Sequence, residues 1–339
     1  MMMHYFNSIS HKIKPVLSGH DTFALRYGWS KKVYDRIEQV TDNKNVFSEE
    51  SAIATFGVGK NMLNAMRHWS FHLGLIARDN RTHSYLNTNL VCQEHQKPLE
   101  ETGITSNNSF YHAEQFFDDE IGLDPYLESP TTLWLFHWAL ATKPSLITYY
   151  WFFNINTKSE LSRDDFMKQI KDFLAKYPEI KLPSDSTLKK DIDCFILNYS
   201  SKHQKEHEDA ESAIESPLVE LGLISRPNQT QIRAHRGQKA SLSIHAFVYC
   251  LIQFWKKFND GAGSLSLEMA TYDECSVGRV FMLDEENLID YAEQLEAFEY
   301  PLVWTQSAGI RQFQLIQGKT LSDAFNASIN NMKKYDYTR

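Results

Sequence analysis

Three side chains with the chemistry of phosphodiester hydrolysis lie within seven residues of one another. In Leu17-Ser18-Gly19-His20-Asp21-Thr22-Phe23-Ala24-Leu25-Arg26-Tyr27, His20 has the side chain of a general base or metal ligand. Asp21 has the carboxylate of a Mg²⁺ or Mn²⁺ ligand, and Arg26 the guanidinium of a phosphate clamp. The same residues also have a structural reading, in which Asp21 caps a turn, His20 fills a polar pocket and Arg26 makes an internal salt bridge. A second set, Lys60, Asn64 and Arg67 with Asn61 and His68 beside them, is of DNA-readout type. Arg pairs bidentately with guanine and Asn with adenine, while Lys neutralises phosphate. A solvated helix face would carry similar residues, so position must decide.

The second set requires a helix. From Lys60 to Leu73, Met62, Met66, Trp69 and Leu73 recur at i, i+4, i+7 and i+11, one face of a 3.6-residue period. Lys60, Asn64, Arg67 and Phe71 fall opposite; Phe71 is out of place on a polar face. Upstream, Trp29, Val33, Ile37 and Val40 mark another helix. A turn at 42–45 leads to a short helix from Ser48, with Glu49 and Glu50 where the helix dipole favours acid. Gly57 closes it, and Gly59 allows the turn into the next. Downstream, Leu75–Arg78 and Thr82–Leu86 read as strands of a hairpin turning at Asp79-Asn80 and tipped by Arg78 and Arg81. Helix, helix and basic hairpin in that order predict a winged helix.

The pattern recurs. Helices are expected over Ser162–Tyr177 and Ser184–Tyr199, then, after a polar stretch from Ser200 to Glu215, a basic hairpin with His235 and a second DNA-facing set of Arg226, Arg233, Arg236 and Lys239. A third unit runs from Ser266, with a helix over Asp284–Phe298, a hairpin around Gly309 and a closing helix over Thr320–Lys334. Apolar helices at Thr132–Ala141, Ser145–Phe153 and Leu242–Phe258 lie between. The expected class is mainly α with small β-hairpins (α+β), as tandem winged-helix-like units joined by apolar helices. The expected domains are 1–97, 98–261 and 262–339.

With 42% apolar residues in 339, the chain can bury real cores, which excludes wholesale disorder. No apolar run is long enough for a membrane span, and Met1–Ser10 lacks the form of a signal peptide, so a soluble cytoplasmic protein with no membrane partner is expected. Cys92, Cys194, Cys250 and Cys275 are scattered, without zinc or disulfide spacing. Gly57-Val58-Gly59-Lys60-Asn61 lacks the earlier glycine and the Ser or Thr of a phosphate loop, so no nucleotide site is expected. Asp118-Asp119-Glu120 reads as a solvated loop and Asp284-Glu285-Glu286 as a helix start, rather than as Mg²⁺ sites. His203, Glu206, His207 and Glu208 fall in a polar linker. The formal charge of −8 argues against nucleic acid only until it is mapped. Residues 1–97 hold 12 basic and 8 acidic side chains, a net of +4 against −12 for the rest. The basic end is the one with the recognition-helix pattern.

The stretch Leu17 to Tyr27 continued by Gly28-Trp29, together with Gly57-Val58-Gly59-Lys60-Asn61-Met62 and Pro217-Leu218-Val219-Glu220-Leu221-Gly222-Leu223-Ile224, resembles the SspB-like family, encoded beside bacterial DNA phosphorothioation genes. The resemblance implies a component of the single-stranded DNA phosphorothioation system of anti-phage defence that nicks one strand of double-stranded DNA. It also implies partnership with a cysteine desulfurase, a sulfurtransferase-like protein and an ATPase. Replacing a non-bridging oxygen by sulfur requires access to a backbone phosphate, which a nick supplies. His20, Asp21 and Arg26 are candidates because they lie in the matching motif. A non-catalytic winged-helix adaptor that positions the sulfur-transfer partners, and a transcriptional regulator, are the alternatives from the residues themselves.

Overall fold

The computed structural model describes residues 5–40, 45–48, 51–80, 82–88, 104–105, 113–201, 215–307 and 309–337. The expected turn at 42–44, Glu49, Glu50, Arg81, Cys92, and the His203, Glu206, His207 and Glu208 group lie outside them. The described chain is mostly helical, with three small three-stranded antiparallel sheets. It forms two compact units, each assembled from separated segments. Neither unit follows the 1–97, 98–261 and 262–339 division, because stretches distant in sequence complete each core.

One unit comprises residues 16–128 and 184–220. Its helices include Trp29–Glu38, Ala52–Phe56, Lys60–His72, Ala113–Phe117 and Asp185–Tyr199. Met62, Met66, Trp69 and Leu73 are buried as their spacing requires, Trp69 completely. The indole Nε1 of Trp69 donates to the carbonyl of Phe23 at 2.9 Å, which ties the Leu17–Tyr27 stretch to this helix. After Gly74, in the left-handed region at φ +79°, strand Ile76–Asp79 pairs with Tyr85–Asn87 through Arg78↔Tyr85 and Ile76↔Asn87. The return strand begins at Tyr85 rather than Thr82, and His83 before it has φ +57°. A third strand, Ile104–Thr105, pairs on the other side of Ile76–Asp79.

The other unit comprises residues 1–15, 129–183 and 221–339. Helix Pro130–Ala141 starts with proline at its first position and the Ser129 hydroxyl accepting from the Thr131 N–H, where the missing proline N–H costs nothing. Ile244–Phe258 is buried from Ile244 to Trp255, which explains its apolar circumference. The aromatic run after Ile147–Tyr150 continues as a π-helix, Trp151–Ile155. The two sheets share one layout. Strand Glu160–Ser162 pairs with Gln231–Ala234, which pairs with Ile224–Ser225. Strand Ser264–Ser266 pairs with Ile310–Leu315, which pairs with Leu302–Ser307. In both, the last strand residue, Ser162 or Ser266, is also the N-cap of the following helix. These short first strands carry too little alternation to be legible beforehand.

His137 sits fully buried between Phe153 and Phe281, its Nε2–H donating to the Val280 carbonyl at 2.7 Å. Burial foremost, with the Lys239 charge adding to it against the Val280 bond, holds its pKa down at about 3. Between the unfolded value of about 6.5 and that figure, the unfolded chain binds a proton that the folded chain does not. Stability is therefore lost as pH falls below about 6.5, at about 1.4 kcal/mol per pH unit, or about 2 kcal/mol at pH 5. His137→Gln removes that slope. Urea melts of both proteins at pH 7 and pH 5 measure the difference, and equal acid losses would show that His137 does not set it.

Candidate nucleic-acid interface

The Leu17–Tyr27 stretch is a tight loop held by groups from a helix 170 residues later. Asp21 and Thr22 both occupy the left-handed region, at φ +44° and +70°, an uncommon pair of conformations for non-glycine residues. His20 is buried, and its Nε2–H donates to Asp191 Oδ1 at 2.9 Å. Its Nδ1 accepts the Thr22 N–H at 3.1 Å, which requires a lone pair there and places the proton on Nε2. Both ring nitrogens thus help to hold the loop. Asn198 Oδ1 accepts the Leu25 N–H at 3.0 Å. Sequence reasoning missed Asp191 and Asn198. Their signal was present, as polar residues spaced i, i+7 within the apolar stripe of Leu188, Ile192, Phe195 and Tyr199.

Asp21 Oδ2 accepts from Asn64 Nδ2 at 2.9 Å, so the amide assigned to adenine readout is engaged within the protein. The Arg26 guanidinium lies over Phe23 and Trp29, at 5.8 and 5.4 Å from their ring centroids. Among the described residues, no group of three or more His, Cys, Asp or Glu side chains is placed to hold a metal ion. Asp118 caps its own turn through the Glu120 and Ile121 N–H groups, each at 2.8 Å, and Asp119 pairs with Lys31. Asp284 begins a capping box with Asn287, and Glu285 pairs with Arg311.

On the recognition-type helix, Lys60 and Asn61 are exposed and Arg67 is half-buried, while Arg78 is exposed on the neighbouring strand. Among the described residues, no ion pair involves Lys60, Arg67 or Arg78. His68 departs from the expectation. It is buried, stacked edge-on with Trp69 and against His72 at 4.4 Å between ring centroids. Gly19 explains why the loop comes so close, since a Cβ there would lie 2.4 Å from His68 Nδ1.

Of these, Arg67, His68, Arg78 and Gly19 meet in a cleft of about 230 Å³. Arg67, His68, Phe71 and His72 line one side, Arg78 and Tyr85 another, and Gly19 and Asn45 complete it. Phe71, anomalous in the sequence, is a cleft residue, with its ring edge-on to Tyr85 at 6.4 Å. A larger cavity of about 320 Å³ in the other unit includes Lys239, Ser243, His245 and Asp336. Two of its polar pairs are already bonded, Ser243 to Asp336 and His245 to Tyr300, each at 2.6 Å.

The second set expected to face DNA divides. Arg233 forms a cross-strand ion pair with Glu160 at 2.7 Å, and Arg236 donates to the Asn156 carbonyl at 3.1 Å. Arg226 is half-buried. Lys239 turns inward, donating to the His235 and Gly237 carbonyls, and burial foremost lowers its pKa to about 8. Its ammonium is used to close its own turn, so it offers little to a phosphate. Cys194, Cys250 and Cys275 are buried free thiols.

A family described as "Protein of unknown function (DUF4007)" matches residues 17–329. No curated protein matches. Two solved structures share the fold. One, of magnesium ion-bound SspB, has a TM-score of 0.74 and 25% identity over 96% of this chain and 90% of that one. The other, also of SspB, has a TM-score of 0.74 and 24% identity over 95% and 88%. Among the described residues no helix is long and apolar enough to cross a membrane.

Proposed function

The chain belongs to the DUF4007 family of proteins of unknown function and is SspB-like in structure, and from that premise we propose that it is a DNA-binding component of an Ssp DNA phosphorothioation system. The observation that carries this reading is the set Lys60, Arg67 and Arg78, cations with no ion pair among the described residues, around one helix and its hairpin. Unpaired cations on a helix and an adjacent wing are what phosphate contacts require. The strand layout of the two other sheets, early strand beside the last, supports the winged-helix reading. The first sheet takes its third strand from downstream instead. The desulfurase, sulfurtransferase-like and ATPase partners follow from the resemblance in the sequence.

Strand nicking is the second reading, favoured by the SspB structure with magnesium ion bound. The described residues of this chain include no group of three or more His, Cys, Asp or Glu side chains placed to hold a metal, and no step is derived through one. A supercoiled-plasmid assay in Mg²⁺ or Mn²⁺ separates the two. Wild-type protein that shifts the plasmid without producing open circles is the expected result for a binding component. Open circles lost in both His20→Ala and Asp21→Ala, with binding kept, would establish nicking through the loop. A protein that does neither would remove the DNA reading.

A further inference from the structure

We propose that the cleft beside the Lys60–His72 helix takes a single unpaired nucleotide of a DNA strand, its phosphate on Arg67 and Arg78 and its base against Phe71 and Tyr85. The inference rests on the DNA-binding reading above and specifies its substrate. Four observations point the same way. The cleft is concave, at about 230 Å³, a shape that takes a protruding group rather than a flat surface. It contains two guanidiniums, from helix and strand, that form no ion pair among the described residues and can engage a phosphate bidentately. It also contains two half-buried aromatic rings, which a phosphate does not need but an unstacked base does, since base–aromatic stacking carries strand binding without sequence preference. Finally, Gly19 lets the backbone pack directly on His68, where any Cβ would strike the ring, so this wall of the cleft is closed and fixed in place.

A base inside a duplex cannot reach such a cleft, and one that is bulged or single-stranded can, because it has less stacking to give up. A protein that handles the backbone one strand at a time has use for a site of that kind.

Fluorescence anisotropy tests the proposal with two labelled 20-mer duplexes, one fully paired and one with a single bulged adenine, at the same salt. The expected result is about tenfold tighter binding of the bulged duplex by the wild type. In Phe71→Leu and in Tyr85→Leu the ratio should fall towards one. Because both duplexes are titrated against the same sample, the ratio is independent of any loss of folded protein. Equal wild-type affinities, with both duplexes bound, would overturn this proposal and leave the DNA-binding reading standing, as would a ratio that survives in both variants. Tighter binding of free deoxyadenosine monophosphate than of the bulged duplex would also overturn it. Binding of neither duplex would overturn both readings.

Discussion

Asp191→Ala is expected to destabilise the protein by about 3 kcal/mol, among the largest effects of any single polar substitution outside the apolar cores. The carboxylate and the His20 ring are both almost wholly buried, at 4% and 3% side-chain exposure. Removing the carboxylate strands the Nε2–H away from water. The cost is the desolvation penalty of that donor added to the lost charge-assisted bond. It propagates, because the same ring accepts the Thr22 N–H and so helps to hold two residues in left-handed conformations. Asp191→Asn keeps an oxygen that can accept from Nε2 and should cost about 1 kcal/mol. Urea melts give the stabilities, and amide exchange at Thr22 and Leu25 reports the loop. A midpoint for Asp191→Ala equal to the wild type would show that the pair does not hold the loop. The consequence for function is indirect but definite. The loop sets Gly19 against His68, so its release should open the cleft wall and weaken DNA binding as well.

The second large effect is on affinity. Replacing Lys60, Arg67 and Arg78 together by Ala should lower the slope of log K against log salt by about 1.8, at about 0.9 for each of two phosphates, one on Lys60 and one shared by Arg67 and Arg78. At about 1 kcal/mol per side chain, the loss at physiological salt is roughly 100-fold. None of the three supports the fold through an ion pair among the described residues, so the melting curve should change little. Binding isotherms from 50 to 300 mM salt measure the slope. An unchanged slope would mean that duplex DNA is met elsewhere, with Arg226, Arg233 and Arg236 the next cations to test. Arg233 is then the weakest of these, because Glu160 opposes it across the strand pair.

The two predictions concern parts of the protein that were unequally legible. The recognition-type helix can be read from residues 60 to 73 because the 3.6-residue period is local, and burial of Met62, Met66 and Trp69 follows from it. Caps were legible for the same reason. Ser162, Ser184, Asp284 and Thr320 each satisfy backbone donors within three residues, and the chemistry of a cap does not depend on the rest of the fold. The anomaly of Phe71 was legible too, as an apolar ring on a polar face, but its partner Tyr85 was not. That pairing depends on a return strand that begins at Tyr85 rather than Thr82.

The amino-acid sequence by itself determined the helical class, the positions of most helices and hairpins, and the uneven spread of charge that marks one end as basic. These properties depend on neighbours a few residues apart. Only the tertiary structure decided which polar groups are available for chemistry. It committed His20 to Asp191 and Asn64 to Asp21, buried His68, turned Lys239 inward, and left Lys60, Arg67 and Arg78 outside any ion pair among the described residues. Each of those outcomes depends on a partner brought close by packing, and a buried hydrogen bond across 170 residues leaves no periodicity for local reading to find. The physical reason is that local propensity sets backbone shape, whereas desolvation, which governs whether a polar side chain must bond inward or can bond a ligand, is set only when separate segments close over it.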